Sequence, residues 1–367
     1  MSKSNIQDSR TVKELKGITF SGYKILAVVK KMIVSMLDEK IEEACYWCAE
    51  LICSGHYSEI WEAIIQYYCK YIHIANPKLS LYIWCKLKKF KENMNDLDTN
   101  EEELELRNNP GFRQMFIEIV VTLTISTKKY TVNEVKVQPQ DFNMINLSNI
   151  LQATDLSFSE DIFKEGDPKE LIVTINEMAY NIHSSVANTR KSCYWFEWIN
   201  EYTKICKKNK TPCKIHKRDN DYINETYYTN PIWLVWDVIL KESKTKSTII
   251  GKIIDSLFGM FCLRYSDTVN TKRRFVVYFA ISLLTTDIIL DKKEIISDKD
   301  KNVVSCVVSQ IDKIFVQVKE KGTVKEELEH DNNELPVENK IISTKQPTSR
   351  EKMQILSDFE NGFIPRL

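Results

Sequence analysis

Four residues in the first third of the chain have the side chains and spacing of a zinc site. Cys45, Cys48, Cys53 and His56 follow the pattern C-x2-C-x4-C-x2-H, and thiolate and imidazole are the usual zinc ligands in proteins. Cys45 and Cys48, however, lie three residues apart within an apolar helical pattern, where a zinc knuckle would need a loop. Since free cysteine is among the most buried residue types, we favour core packing over metal binding here.

The tripeptide Cys-Tyr-Trp of this stretch occurs a second time, at residues 193–195. The second copy has Phe196 where the first has Cys48, a difference that suits packing and not metal binding. Each copy is followed by an Ile-Trp pair further along the chain, which leaves open an ancient duplication into two related helical halves. We predict that these aromatic residues lie in the core: Tyr46, Trp47, Trp61, Trp84, Tyr194, Trp195, Trp198, Trp233 and Trp236.

A basic segment follows the second copy. Seven of the fifteen residues from Lys204 to Arg218 are Lys or Arg, and none is acidic. We favour a solvated loop, with contact to phosphate groups or to an acidic partner as the alternative. A metal site on Cys206, Cys213 and His216 ranks third because it lacks a fourth ligand. If the fold brings residues 272–274 alongside, the basic contact surface comprises Lys204, Lys207, Lys208, Lys210, Lys214, Lys217, Arg218, Lys272, Arg273 and Arg274.

Motifs of the common enzyme classes do not occur in the sequence. There is no G-x-x-x-x-G-K-[ST] phosphate loop, no G-x-G-x-x-G, no H-E-x-x-H and no G-x-S-x-G. The five histidines are dispersed along the chain, and no nucleophile has a base at a recognisable spacing. We therefore predict a protein that is not an enzyme and that has no cofactor and no metal.

Charge and composition exclude further classes of protein. Lys and Arg total 51, and Asp and Glu also total 51, whereas general binders of nucleic acid or membrane surfaces usually carry a net charge. The polar start MSKSNIQDSRTVKELKG does not resemble a secretion signal, so we expect the ten cysteines to stay reduced. The longest apolar run, residues 275–284, is too short to span a bilayer. We predict a soluble intracellular protein.

The elements that position these residues are predicted to be mostly helices. Apolar residues recur at spacings of three and four through most of residues 21–97 and again in several stretches after residue 110. Asn76-Pro77, and Asp167-Pro168 followed by Glu170, are typical of helix starts. We predict an all-α fold of about twelve helices, either a multi-helix bundle or a helical-repeat-like array of antiparallel hairpins.

Changes in composition along the chain suggest its domain organisation. The start is polar, the acidic and polar stretches interrupt the helical patterns, and the charged region after residue 320 has the composition of disordered segments. The predicted divisions are a flexible tail at 1–18, a first helical half at 19–126, an irregular connector at 127–166, a second helical half at 167–320, a disordered linker at 321–350, and a short C-terminal helix and tail at 351–367.

Six stretches of the chain form one collinear set: EACYWCAELICSGHYSEIWEAI, KYIHIANPKLSLYIW, GDPKELIVTINE, SCYWFEWINEYTKICKK, IWLVWDVIL and KRRFVVYFAISLL. Together they resemble an uncharacterised protein family of large nucleocytoplasmic DNA viruses, of the mimivirus and algal-virus kind, over residues 20–318. The resemblance implies a virus-encoded cytoplasmic protein with a helical body. It supplies no activity and no catalytic residue.

The first block carries a second resemblance. YWCAELICSGHYSEIWEAI and IHIANPKLSLYIW are similar to the helical collar of clamp-loader-like ATPases. No phosphate loop precedes residue 44, so the resemblance implies an oligomerising helical module without the ATPase half. A collar-like module would belong to nucleic-acid machinery.

These observations give two functional hypotheses. The first is a helical scaffold or assembly protein of a large DNA virus that acts through contacts with viral or host proteins, in the host cytoplasm, a cytoplasmic virus factory or the virion. The second is an adaptor in replication or translation initiation that uses the basic segment 204–218 to contact nucleic acid. Neither hypothesis involves a membrane, and both leave the oligomeric state open.

Overall fold

The structure is a computed structural model that describes residues 2–93, 104–129, 133–211, 213–288, 290 and 294–328. Within these residues the regular structure is helical, and the β-type pairing is an isolated antiparallel bridge between Ile18 and Lys24. The predicted all-α fold is confirmed. The α-helices are α1 (Ile25–Leu37), α2 (Ile41–Cys53), α3 (Tyr57–Tyr67), α4 (Leu79–Glu92), α5 (Pro110–Ile125), α6 (Met144–Ile150), α7 (Ile172–Ile182), α8 (Thr189–Lys208), α9 (Ile232–Ser243), α10 (Thr248–Phe261), α11 (Val269–Lys272), α12 (Arg274–Thr285), α13 (Asp298–Ser309) and α14 (Ile311–Leu328).

The chain folds into two compact units, each assembled from separate segments. Unit 1 comprises Met1–Ile64, Lys86–Ser126 and Ile296–Leu367, and unit 2 comprises Ile65–Cys85 and Thr127–Ile295. This grouping differs from the contiguous halves expected from the sequence. The reason is that α13 packs on α5 and α14 packs on α2, which places the last helices of the expected second half with the first helices of the chain.

The amino-terminal segment was expected to be a flexible tail, and in the structure it is part of unit 1. Ile6 and Leu15 are buried. The Asn108 side chain binds the Ile6 backbone twice, since its amide donates to the carbonyl and its oxygen accepts from the N–H, both at 2.9 Å. Further along, the buried Glu50 carboxyl group accepts hydrogen bonds from the Ser21 N–H at 2.6 Å and hydroxyl at 2.9 Å. Polar residues thus hold this segment in place.

Two helix starts show which of the capping residues in the sequence cap a helix in the structure. Asn109 caps α5, because its side chain accepts from the N–H groups of Gly111 at 2.9 Å and Phe112 at 3.3 Å. The helix predicted after Asp167 also exists, as a 3-10 turn followed by α7. The predicted cap is wrong, since no side chain caps either element and Asp167 instead binds Arg218.

The carboxyl-terminal divisions are only partly described. Helix α14 continues to Leu328, so the first residues of the expected disordered linker 321–350 are helical. Residues 329–350 and the predicted terminal helix and tail at 351–367 lie outside the described residues.

Aromatic rings form the core of unit 1. Trp61 and Tyr57 of α3 contact Phe116 of α5 with ring centroids 5.0 and 5.1 Å apart. Phe90 of α4 touches Phe116 at 5.5 Å and Phe112 at 5.3 Å. Edge and tilted contacts of this kind add to the burial of large apolar surfaces, so this cluster fastens α3, α4 and α5 together.

A second aromatic cluster forms the core of unit 2. The Trp236 ring of α9 lies 5.1 Å from Phe258 and 5.2 Å from Phe261 of α10. On the same helix, Gly259 faces Trp84, and a Cβ atom added there would come within 2.4 Å of the indole ring. Glycine at 259 therefore permits the close approach of the α10 backbone to Trp84.

The predicted core aromatic residues divide into two groups. Buried side chains are Trp61, Trp195, Trp198, Trp233 and Trp236. Half-buried side chains are Tyr46, Trp47, Trp84 and Tyr194. In both Cys-Tyr-Trp copies the tyrosine is half-buried, but the tryptophan is buried only in the second copy.

Neighbouring aromatic residues of α8 provide a test of core packing. Trp195 is 2 % exposed, so Trp195→Ala should lower the free energy of unfolding by about 3–5 kcal/mol through lost contacts and a cavity. Tyr194→Ala is the matched control, since this ring is half-buried and should cost clearly less. Urea denaturation followed by circular dichroism measures both changes, and equal losses would contradict the packing described here.

Candidate interaction surfaces

The four residues of the first block that have zinc-ligand spacing are occupied with packing and backbone contacts. Cys45, Cys48 and Cys53 are buried in α2. Burial raises the pKa of the Cys45 thiol to about 12 and raises the pKa values of Cys48 and Cys53 above their usual range. The ring nitrogen Nε2 of His56 lies 2.8 Å from the Ile18 carbonyl oxygen. These thiols pack as small apolar groups.

The second candidate ligand set is spread over different environments. Cys206 is buried, Cys213 is half-buried and His216 is exposed. Burial raises the pKa of Cys213 to about 12. Among the described residues, no group of three or more His, Cys, Asp or Glu side chains is arranged to hold a metal ion.

Arg218, predicted to lie on a basic contact surface, is buried inside unit 2. Its guanidinium donates to Asp167 at 2.7 Å, to Asp237 at 2.8 Å and to the Ile162 carbonyl at 3.0 Å. Two carboxylates and a carbonyl satisfy most of its donors, as a buried cation requires. Arg218 therefore connects the segment before α7 to α9 and is not free for a partner.

Arg273 and Arg274 also serve the interior of unit 2. Arg273 is buried and donates to three carbonyl oxygens of residues 260–263, at the end of α10, over 2.6–3.2 Å. Arg274 forms ion pairs with Glu134 and with Glu197. The expected extension of the basic surface through these arginines is therefore not formed.

The lysines of the basic segment lie at the surface, and half of them are paired. The pairs are Lys204 with Glu201 at 2.6 Å, Lys207 with Asp267 at 3.1 Å and Lys217 with Asp219 at 3.5 Å. Lys208, Lys210 and Lys214 are exposed and form no ion pair with a described residue; we call these three the lysine loop. Lys272 is half-buried.

A buried polar network in unit 2 was not predicted. The Tyr278 hydroxyl donates to Glu197 at 2.9 Å and accepts from the Val135 N–H at 3.2 Å. The Arg274 Nε atom lies 3.7 Å from the same carboxyl group. Burial raises the pKa of Glu197 to about 7, although the hydrogen bond from Tyr278 favours the ionised form. Glu197 thus changes its charge near neutral pH.

One surface of unit 1 presents apolar and aromatic side chains to solvent. Leu26 and Val34 of α1 are 38 % and 36 % exposed. The Lys31 ammonium group of the same helix lies 4.5 Å from the centroid of the half-buried Trp47 ring, and the Tyr23 ring meets that ring edge-on at 5.8 Å. We call these five residues the α1–α2 face. Residues three and four apart share a helix face, so the rows 27, 31 and 26, 30, 34 of α1 are adjacent.

The sequence of α1 explains why this surface is apolar. The helix reads ILAVVKKMIVSML and has apolar residues around most of its circumference. The buried side consists of Val28, Val29, Met32, Ile33, Ser35 and Met36. One helix face accounts for a single apolar stripe, and Leu26 and Val34 lie outside it. The sequence analysis did not predict this exposed side of α1, although the excess of apolar residues in the helix is a signal from which it could have been found.

The pKa of Glu197 gives a prediction for stability against pH. The folded value of about 7 exceeds the usual value of 4.5, so the folded protein binds the proton more tightly than the unfolded protein. The contribution of Glu197 protonation to stability is therefore fully present below pH 4.5. The free energy of unfolding declines by about 3 kcal/mol as the pH rises toward 7. Glu197→Gln, which imitates the protonated form, should remove this component and raise stability at pH 8.

Thermal denaturation at several pH values measures this effect as the difference between wild type and Glu197→Gln. The variant keeps an oxygen that accepts the Tyr278 hydrogen bond. Other titrating groups contribute equally to both proteins and cancel. Parallel curves of melting temperature against pH would show that Glu197 has no raised pKa.

Comparisons with protein-family models, with curated proteins and with solved structures found no match for this chain. In the described part of the chain, no helix has the length and apolar character needed to cross a membrane. The viral-family resemblance of residues 20–318 stays a prediction.

Proposed function

We propose that this protein is a non-enzymatic helical scaffold or assembly protein that acts through protein–protein contacts. The observation that carries this proposal is the α1–α2 face, where Leu26 and Val34 are exposed and Lys31 of the same helix lies over the half-buried Trp47 ring. Tryptophan and tyrosine are enriched at protein interfaces, where a few such residues supply most of the binding free energy. Trp47 would be the anchor of the contact.

The face is ordered before any partner binds. Lys31 over the Trp47 ring and Tyr23 against its edge restrict the indole from two sides. Immobilising a side chain on binding costs about 0.5–1.5 kcal/mol, and a ring that is already held avoids part of that cost. The buried side of α1 packs on α2, so the backbone beneath the face is held as well.

The viral-family resemblance supports a setting for this scaffold. A virion or virus-factory component in the host cytoplasm is consistent with a helical body that displays a contact face. Capsid proteins or other assembly components are the partners that this setting suggests.

Affinity capture of the tagged protein from infected cells, with mass spectrometry and a nuclease control, tests the scaffold function. Val34→Glu places a charge on the exposed side of α1 within the α1–α2 face and should abolish capture of the nuclease-resistant partners. Ile145→Glu is the matched control, because Ile145 is also apolar and is 72 % exposed on unit 2. Equal capture by both variants would exclude the α1–α2 face as the contact site.

The lysine loop supports a second candidate function, an adaptor that contacts nucleic acid. Lys208, Lys210 and Lys214 are exposed and have no ion pair with a described residue, so they are available to phosphate groups. Each phosphate contact releases counterions and steepens the dependence of affinity on salt. The carboxylates that pair with the neighbouring lysines lower the net positive charge of this region.

Titration of labelled single-stranded RNA and DNA at several salt concentrations tests this second function. Changing Lys208, Lys210 and Lys214 together to Glu should weaken binding and reduce the slope of log affinity against log salt by about 2–3. The control changes Lys244 and Lys252, two exposed lysines elsewhere in unit 2, to Glu. An equal loss in both variants, or binding confined to very low salt, would exclude the adaptor function.

A further inference from the structure

Helix α1 has a second side that is exposed or half-buried. The helix packs on α2 and α5 through its buried residues. After Ile25, the positions that are not buried hold only apolar residues and lysines: Leu26, Ala27, Lys30, Lys31, Val34 and Leu37. With about 3.6 residues per turn, these positions fall on one arc of the helix, opposite the buried arc. We call this arc the outer side of α1.

The spacing along the outer side is that of a seam between two helices. Ala27, Lys30, Val34 and Leu37 follow one another at intervals of three, four and three residues, as do the core positions of paired helices. A lysine at one such position lowers the stability of the pair but restricts which partner fits. The outer side therefore has the pattern of a helix that pairs with a second helix and selects it by charge.

The charged residues along this side are positive. Lys24, directly before α1, and Lys31 lie seven residues apart beside the seam, and both are exposed and form no ion pair with a described residue. No Asp or Glu occurs from residue 15 to residue 37. The next carboxylate in the chain, that of Asp38, lies 4.0 Å from the Lys40 ammonium group. A partner that covers this side therefore gains affinity by supplying negative charge.

From this pattern we infer that the partner bound by the α1–α2 face is an acidic amphipathic helix of another protein. The inference names the partner class of the proposed scaffold and rests on that proposed function. Apolar residues of the bound helix, at spacings of three and four, would pack on Ala27 and Val34, and its carboxylates would lie against Lys24 and Lys31. Trp47 borders this seam, since its ring contacts Lys31.

Two other occupants fit the outer side less well. A second copy of this chain would bring lysines against lysines, and like charges across an interface are unfavourable. An anionic membrane would attract the lysines, but a helix that lies in a bilayer surface buries a broad apolar face. Leu26 and Val34 are only 38 % and 36 % exposed, which is too little apolar surface for such insertion.

Fluorescence anisotropy of the purified full-length protein with a labelled peptide tests this inference. The probe is a helical peptide with leucine at its core positions and glutamate at the flanking positions, used at a concentration where it is monomeric. The control peptide has lysine in place of glutamate. The glutamate peptide should bind about tenfold more tightly than the control, and the difference should shrink at high salt because ions screen exposed charges.

A charge exchange separates a lost contact from a misfolded variant. Changing Lys24 and Lys31 together to Glu should reverse the preference, so that the variant binds the lysine peptide more tightly than the glutamate peptide. Such a reversal requires a folded protein. The control variant combines Lys244→Glu and Lys252→Glu, two exposed positions of unit 2, and should keep the wild-type preference.

Three results would overturn the inference: no difference between the two peptides with the wild-type protein, an unchanged preference after the exchange at Lys24 and Lys31, or binding to phosphatidylserine vesicles with no binding of either peptide. The experiment uses no cellular partner, so it fails independently of the capture test. If it fails while Val34→Glu still abolishes capture from infected cells, the α1–α2 face binds a partner of another kind. If capture is also unaffected, the proposed function fails as well.

Discussion

The buried carboxyl group of Glu50 is the contact on which the arrangement of unit 1 depends. It lies in α2 and accepts two hydrogen bonds from Ser21, while the hydroxyl of Ser54 at the end of α2 accepts from the Phe20 N–H at 2.6 Å. A buried carboxyl group without partners would cost several kcal/mol, so these bonds fix where the chain enters α1. That position places Phe20 against Gly322 of α14. Glu50 therefore brings three separate parts of the sequence to one site.

The fold class could be predicted from the sequence because the local spacing of apolar residues determines the local secondary structure. Helices depend on spacings of three and four, and those spacings are visible in one sequence. The amino-terminal segment could not be predicted, because its stability comes from Asn108 and Glu50, residues about 100 and 30 positions away. The same holds for Arg218, whose acidic partners Asp167 and Asp237 come from other elements.

For the candidate surfaces, the sequence predicted which residues they contain but not which of those side chains are accessible. The sequence identified the basic segment, but pairing by Glu201, Asp267 and Asp219 decides which lysines are available. Asp267 comes from a different part of the chain, 60 residues from its partner Lys207. Trp47 was predicted in the core because Cys-Tyr-Trp suggested two equivalent packing units. The structure places the second tryptophan, Trp195, in a core and leaves Trp47 half exposed. Burial is a property of the whole fold, which a short repeat does not determine.

The size of the α1–α2 face limits how strongly a partner protein can bind to it. Leu26 and Val34 are only 38 % and 36 % exposed, so the apolar area available to a ligand is small. A few residues supply most of the binding free energy of an interface when a tryptophan or tyrosine is among them, and Trp47 is the residue of this face with that character. The ring is held by Lys31 and Tyr23, so the strength of the proposed contact depends on the half-buried indole more than on the two aliphatic side chains.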